Sequence, residues 1–256
     1  MAADRPLILI TNDDSIAAPG VLRLADCMPA EADVYIVAPA RPQSGQSSAL
    51  SVNTPLRINA LPDYNGARRF TVSGTPVDCV KLALSVIVPR RPTLVLAGIN
   101  HGSNSACNVV YSGTMGAVLE GCTVGITSAG FSLLDHSMEA DFSRSMPFIR
   151  SIVEQLLAEP LPAGVCLNVN MPADVDPAGV VTCRAARAHW TDEYERYVDP
   201  SGNPFYWLTG RLVNEEPEAD DTDEYWLAKS YITVVPVAND MSHIGSIAAV
   251  SKRFDR

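Results

Sequence analysis

Leu7-Ile8-Leu9-Ile10-Thr11-Asn12-Asp13-Asp14-Ser15 decides how the chain is read. Four apolar residues run without a polar break, and three side chains with carbonyl or carboxylate oxygens then arrive together. An unbroken β-rich run closed by turn residues predicts a strand buried on both faces, as in a parallel sheet. Such sheets place ligand sites beyond the carboxyl ends of their strands. Asn12, Asp13 and Asp14 stand at that place. Adjacent carboxylates repel, so clustering them is costly unless something positive sits between them. Mg2+ or Mn2+ suits such a cluster, because hard cations prefer oxygen ligands. An Asx-rich turn capping the next helix fits the same residues.

Outward from this stretch the rhythm is β-α-β. Pro19 suits the first position of a helix through Val21, Leu22 and Leu24. Asp33 to Pro39 reads as a second strand, followed by a polar loop, Arg41-Pro42-Gln43-Ser44-Gly45-Gln46-Ser47-Ser48. Ala49 to Ser73 alternates apolar and polar residues around Asn65-Gly66, which predicts an inserted β-hairpin. Thr75 and Pro76 open another helix that stops before Pro89. Thr93 to Ile99 is a third parallel strand ending in Asn100-His101-Gly102-Ser103-Asn104. Ser112-Gly113-Thr114 then leads into a helix; its free N–H groups and two hydroxyls suit a phosphate, and ordinary N-capping explains them as well. A fourth strand at Val124–Ser128, a helix over Met138 to Leu157 and a fifth strand at Val165–Val169 complete a core expected over residues 1–170, with the hairpin insertion near 49–73.

Past Pro172 the rhythm changes. Val180 to Arg187, Phe205 to Val213 and Tyr231 to Val237 read as strands without crossover helices, and Thr222 to Lys229 as a short helix. Residues 171–256 are therefore expected to form a strand-rich arm, with a closing strand near 231–237, that takes part in oligomerisation. The acidic run Glu215 to Glu224 reads as a solvated loop.

Composition narrows the function. A formal charge of −10 argues against binding nucleic-acid polymers. No apolar run reaches the roughly 18 residues that span a bilayer, and Met1 to Arg5 lacks the basic-then-apolar pattern of a signal peptide. A cytoplasmic protein that does not engage membranes is expected. The six cysteines show no CxxC pair and no zinc spacing, and read as buried free thiols.

Three strand ends thus present oxygen donors on one edge of one sheet: Asp13 and Asp14, Ser44, and Asn100. Two carboxylates, a hydroxyl and an amide carbonyl, completed by water, suit Mg2+ or Mn2+, and the Ser112 helix start lies alongside. The set fits metal-assisted phosphate chemistry. The aspartates are adjacent, whereas those of haloacid-type phosphatases are separated by one intervening residue. A receiver domain would need Asp where Asn100 stands, in a shorter chain. GxGxxG, GxxxxGK[ST] and GxSxG motifs are absent.

Asn12-Asp13-Asp14 with Ala18-Pro19-Gly20, Val37-Ala38-Pro39 with Ser44-Gly45, Gly74 to Cys79, Gly98-Ile99-Asn100 with Asn104, and Tyr111-Ser112-Gly113-Thr114 with Glu120-Gly121 together resemble the SurE family of survival proteins. Tyr206-Trp207, Thr222-Asp223 and Tyr231 to Pro236 extend the likeness into the tail. The resemblance implies an α/β fold with a Rossmann-like, mostly parallel sheet covered by helices on both faces, and a C-terminal arm exchanged within a homodimer or homotetramer. It implies a metal-dependent phosphatase of 5′- and 3′-nucleoside monophosphates, sometimes of short polyphosphate. One divalent cation per subunit, Mg2+ or Mn2+, would lie on Asp13, Asp14, Ser44 and Asn100. Asp13 and Asp14 would be the catalytic carboxylates, and Asn12, Gly45, Asn104, Ser112, Gly113 and Thr114 would bind substrate.

The sequence departs from the family pattern at Ser15 and Ala106, where glycine is usual, and at Ala40 and Asn108, where aspartate is usual. None removes a proposed ligand. His101 is an addition beside one; it could protonate the leaving oxygen or simply bond to backbone. His136, His189 and His243 read as structural. Two other functions compete: a non-catalytic metal- and nucleotide-binding oligomer, which Ser15, Ala106 and Asn108 would favour, and a purely structural assembly protein, which leaves the acidic pair unexplained.

Overall fold

The computed structural model describes residues 5–255; Met1 to Asp4, part of the stretch read as lacking a leader, lie outside them. In chain order come β1 (Leu7–Thr11), α1 (Pro19–Ala25), β2 (Asp33–Pro39), β3 (Ile58–Tyr64), β4 (Ala67–Val72), α2 (Pro76–Leu82), β5 (Leu94–His101), α3 (Gly113–Thr123), β6 (Thr127–Leu133), α4 (Met146–Ala158) and β7 (Val165–Met171). Beyond them lie β8 (Val180–Thr182), β9 (Ala188–Thr191), β10 (Tyr194–Val198), β11 (Pro204–Leu208), β12 (Arg211–Asn214), α5 (Asp223–Leu227), β13 (Ile232–Ala238) and α6 (Ile247–Phe254).

One nine-stranded sheet organises the molecule, in the order β3-β4-β2-β1-β5-β6-β7-β13-β8. Strands β4, β2, β1, β5, β6 and β7 are parallel. β3 and β13 run antiparallel to their neighbours β4 and β7. The fold is therefore α/β and mostly parallel. β1 lies near the middle, and its side chains alternate between two cores, as period-two geometry requires. Ile8 and Ile10 pack with Val21 of α1 and Ile149 and Val153 of α4. Leu7 and Leu9 pack with Val80 of α2 and Met115 and Val118 of α3. Each fully buried side chain of this size contributes roughly 1.5–3 kcal/mol by leaving water.

Local chemistry sets most boundaries. Thr75 caps α2 reciprocally with Asp78, each side chain accepting the other's backbone N–H. Asn65 and Gly66, both at positive φ, turn the β3–β4 hairpin, whose second strand extends the main sheet alongside β2.

Several elements differ from expectation. α4 begins at Met146, not Met138, because Asp141 accepts the N–H of Ser143 in a local turn and Pro147 fits only the first helical turn. The fourth strand starts at Thr127, after Gly125 turns the chain at φ 74°. Only Val180–Thr182 of the stretch 180–187 is strand. Phe205 to Val213 is not one strand: Gly210, at φ 108°, splits it, and β11 pairs with β10 while β12 pairs with β9. The acidic run is a solvated loop only in part: Glu215, Glu218, Asp220 and Asp221 are exposed. Glu216 is clasped by Arg184 and Arg187, and Thr222 and Asp223 are fully buried. The cysteines are all free thiols, four of them buried. Among the described residues no helix is long and apolar enough to cross a membrane.

Candidate active site

The carboxyl ends of β1 and β5 meet the start of α3 and the 41–48 loop. Two close approaches bring that loop in. Gln43 donates its N–H to the Asp13 carbonyl, 2.7 Å, and Ser47 bonds to the carbonyls of Val110 and Tyr111. Gly116 permits this docking, because a Cβ there would lie 2.0 Å from the Ser47 carbonyl oxygen. The result is a cavity of about 400 Å3 lined by Asp13, Ser44, Gly45, Asn100, Asn104 and Ser112, with Tyr111, His136, Trp190 and Leu212 also on its wall.

Asp13 is almost wholly buried and accepts a short hydrogen bond from the Thr114 hydroxyl. Burial pushes its carboxyl up to about 6; the Thr114 bond opposes this and the charge of Asp14 adds to it. Gly113 lets the helix start close on this carboxylate, since a Cβ there would stand 2.9 Å from the Asp13 Cβ. Asp14 turns aside: its Oδ2 accepts from both the backbone N–H and Nδ1 of His101, at 3.1 and 2.8 Å. The β5–β6 ladder is irregular between Ala97 and Asn100, a device that re-aims side chains at strand ends. Asn100 Nδ2 donates to the Gly102 carbonyl, 2.8 Å, which leaves Oδ1 as its free donor to a cation. Ser44 and Gly45 are exposed on the loop.

Other anticipated residues play different parts. Thr114 is fully buried and holds Asp13 rather than facing the cavity. Ser112 Oγ accepts the Met115 N–H as the cap of α3, and its own proton remains available to the cavity. Asn12 is buried; its Nδ2 donates to the Ser15 carbonyl, 2.7 Å, fixing the turn after the acidic pair. His101 has a partner on Nδ1, whereas its Nε2 is buried without one and its ring edge packs against Phe142. The ring thus holds Asp14 and lies on the cavity wall.

Ser15 and Ala106 stand where glycine was expected, and both keep positive φ, 99° and 51°. Asn108 lines the same cavity as Asp13, and its Oδ1 accepts the Trp190 indole N–H, 2.8 Å. Asn104 is anchored by Ser132, Asn168 and Asn170. That support carried a local signal: Asn168 and Asn170 share one side of a buried strand, where apolar residues are the rule. Tyr111, His136 and Trp190 carried none, because only the tertiary fold brings them to the cavity.

Asp13, Asp14, Ser44 and Asn100 supply oxygen donors of the kind Mg2+ or Mn2+ takes, and at the same strand end Asn12 Oδ1 is buried with no hydrogen-bond partner. Among the described residues no three His, Cys, Asp or Glu side chains are arranged so that they could hold a metal ion. Any cation here therefore relies on two carboxylates and neutral oxygens.

The family model described as "Survival protein SurE" matches residues 8–192, well over half of the chain. The chain belongs to the SurE family. Among SurE relatives, the "5'-nucleotidase SurE" of Phocaeicola vulgatus is 44% identical over 245 residues, covering 96% of this chain and 95% of that protein. The one from Christiangramia forsetii is 45% identical, covering 94% of each chain. The crystal structure of the SurE protein from Aquifex aeolicus superposes with a TM-score of 0.83 at 30% identity, covering 98% of this chain and all of that one.

Proposed function

We propose that this SurE protein is a nucleotidase that hydrolyses nucleoside 5′- and 3′-monophosphates to nucleoside and phosphate, with short polyphosphate as a further substrate. The observation that carries the reading is a join between two surfaces. The cavity with the oxygen donors runs into a second space of about 380 Å3, lined by Tyr111, Trp190, Tyr194 and Leu208 and sharing Gly45 and Asn108 with the first. A phosphate end of hard donors beside an aromatic wall matches a phosphate joined to a nucleobase, since bases stack on such rings.

One divalent cation, Mg2+ or Mn2+, is assigned to Asp13, Asp14, Ser44 and Asn100; when bound it supplies positive charge to the phosphate oxygens. The chain does the rest. Asp13 and Asp14 are the catalytic carboxylates, one held by Thr114 and the other by His101. The Ser112 hydroxyl, the Gly45 backbone and Asn104 orient the phosphate. Asn12 shapes the turn that presents the acidic pair.

Ser15 and Ala106 keep the backbone that glycine would adopt, so they give the non-catalytic alternative no support. We assign the strand-rich part beyond residue 170 to assembly of a homodimer or homotetramer, in keeping with its exposed Tyr206, Trp207 and Leu208. A cytoplasmic location without membrane or nucleic-acid partners accords with the acidic composition.

Phosphate release from AMP or GMP with Mn2+ tests the activity. The reading requires release by the wild type and its loss in Asp13→Asn, in Asp14→Asn and with EDTA. Undiminished release in any of these would sink the metal-assisted mechanism.

A further inference from the structure

We infer that Asp223, which lies outside the cavity, is a positioning residue that holds two walls of the nucleotide site in register through one buried carboxylate. The inference rests on the nucleotidase reading of that cavity.

Asp223 is fully buried, and among the described residues no salt bridge reaches it. A buried carboxylate is costly unless hydrogen-bonded. Here three backbone N–H groups compensate, each at 2.8 Å: Ala106 to Oδ2, and Ala186 and Glu224 to Oδ1. An aspartate in the first turn of a helix ordinarily serves its own helix. α5 is only five residues long, its cap is Thr222, and two of the three bonds of Asp223 leave it. They go to segments far apart in sequence that meet at the cavity.

The first segment is the 104–108 loop. Ala106 sits at φ 51°, a left-handed conformation that disfavours any residue with a Cβ. Its N–H points at Asp223, so the carboxylate stabilises the strained residue itself. The neighbouring Ser105 hydroxyl donates to Glu224, which repeats the tie one residue earlier. On either side lie Asn104, at the phosphate end, and Asn108, on the aromatic side.

The second segment lies in the arm, after β8. Ala186 precedes Trp190 by four residues, and the Trp190 indole N–H returns to Asn108 Oδ1, 2.8 Å. The two walls are thus tied twice: through Asp223 at their roots and through Asn108–Trp190 at the cavity. Asparagine at 223 would offer one acceptor oxygen instead of two and turn an N–H2 toward a backbone N–H.

The test is a double-mutant cycle on kcat/KM for AMP and GMP with Mn2+, with hydrogen–deuterium exchange on the same proteins. Asp223→Asn is expected to lower kcat/KM by about 10- to 100-fold, as for loss of one or two buried hydrogen bonds. Exchange in segments 103–110 and 186–192 should rise in parallel. Glycine needs no help to hold a left-handed turn, so Ala106→Gly in the Asp223→Asn background should recover a large part of the loss, measured against Ala106→Gly alone. A merely structural aspartate predicts no such recovery. If Asp223→Asn does not fold, Asp223→Glu, which displaces the carboxylate by one methylene, is read in the same cycle. Unchanged exchange in the two segments, or a loss that Ala106→Gly leaves intact, would overturn the clamp. A wild type with no release would instead overturn the nucleotidase reading, and the exchange result would still decide whether Asp223 holds the two walls.

Discussion

The strand ends around Asp13 and the β10–β11 hairpin depart from ordinary burial in opposite directions. At the strand ends polar side chains are buried: Asn12 and Thr114 completely, and Asp13, Asn104 and Ser112 nearly so. On the hairpin every strand residue is exposed, although the strands carry Tyr194, Tyr197, Phe205, Tyr206, Trp207 and Leu208. Soluble chains usually do the reverse. Buried polar groups cost free energy that folding alone does not require, and exposed rings forgo burial that would stabilise the fold. The first pattern suits a small charged ligand, and the second suits a protein surface.

The sharpest way to break the comparison is Asp13→Asn. It should reduce phosphate release about a thousandfold, on the scale of lost charge-stabilising groups, while raising the melting temperature of the metal-free protein. The sign follows from the raised carboxyl. The unfolded value is 3.8 and the folded value about 6, so the fold disfavours the charged form. Stability of the metal-free protein should therefore fall as pH rises from about 4 to about 6 and stay low above that, by up to roughly 3 kcal/mol at 1.36 kcal/mol per unit. Mn2+ should reverse the loss at pH 7. Melting curves from pH 3.5 to 7.5, with and without EDTA, read all of this; a flat profile identical in Asp13→Asn would remove the electrostatic account of the site.

The hairpin comes next. Replacing Tyr206 and Trp207 with serine should leave the monomer folded, because both side chains are solvent-exposed within the chain. It should weaken self-association by about 2 kcal/mol or more, as buried aromatic anchors do. Light scattering across a dilution series reads the change, and an unaltered mass at every concentration would show that the rings serve some other surface.

Trp190 joins the two regions, since it is carried by the arm and lines the cavity. Trp190→Ala should raise KM for nucleoside monophosphates by about tenfold, within the 1–3 kcal/mol of base stacking, and affect a simple phosphate ester much less. Equal losses on both substrates would deny the aromatic wall a role in binding the base.

The smallest effect is expected at Ser15. Its φ of 99° favours glycine, so Ser15→Gly should stabilise by about 0.5–1 kcal/mol, readable as a higher denaturant midpoint. A destabilised variant would show that the Ser15 side chain contributes more than its backbone strain costs.

What was legible follows from range. β1, the capped helices and the strand-end donors depend on residues a few positions apart, and hydrophobic period and turn chemistry report them. The helix read from Met138 starts only at Met146, because Asp141 and Ser143 make a turn before it. The break at Gly210 was missed because a lone glycine in an apolar alternation marks either a weak point or a kink. Charge counting described the exposed Glu215, Glu218, Asp220 and Asp221 but not Glu216 and Asp223: Arg184 and Arg187 lie about thirty residues upstream, and Asp223 accepts from distant Ala106 and Ala186.

The sequence by itself determined the α/β class, the central strand and the residue types at the site, because these rest on local propensity and on which side chains bear oxygen. The tertiary structure alone decided how they are used. It turned Thr114 onto Asp13 and His101 onto Asp14, brought Tyr111 and Trp190 beside the donors, and buried Asp223 between two distant segments. These contacts depend on where chain segments dozens of residues apart come to rest, and packing of the whole sheet sets that.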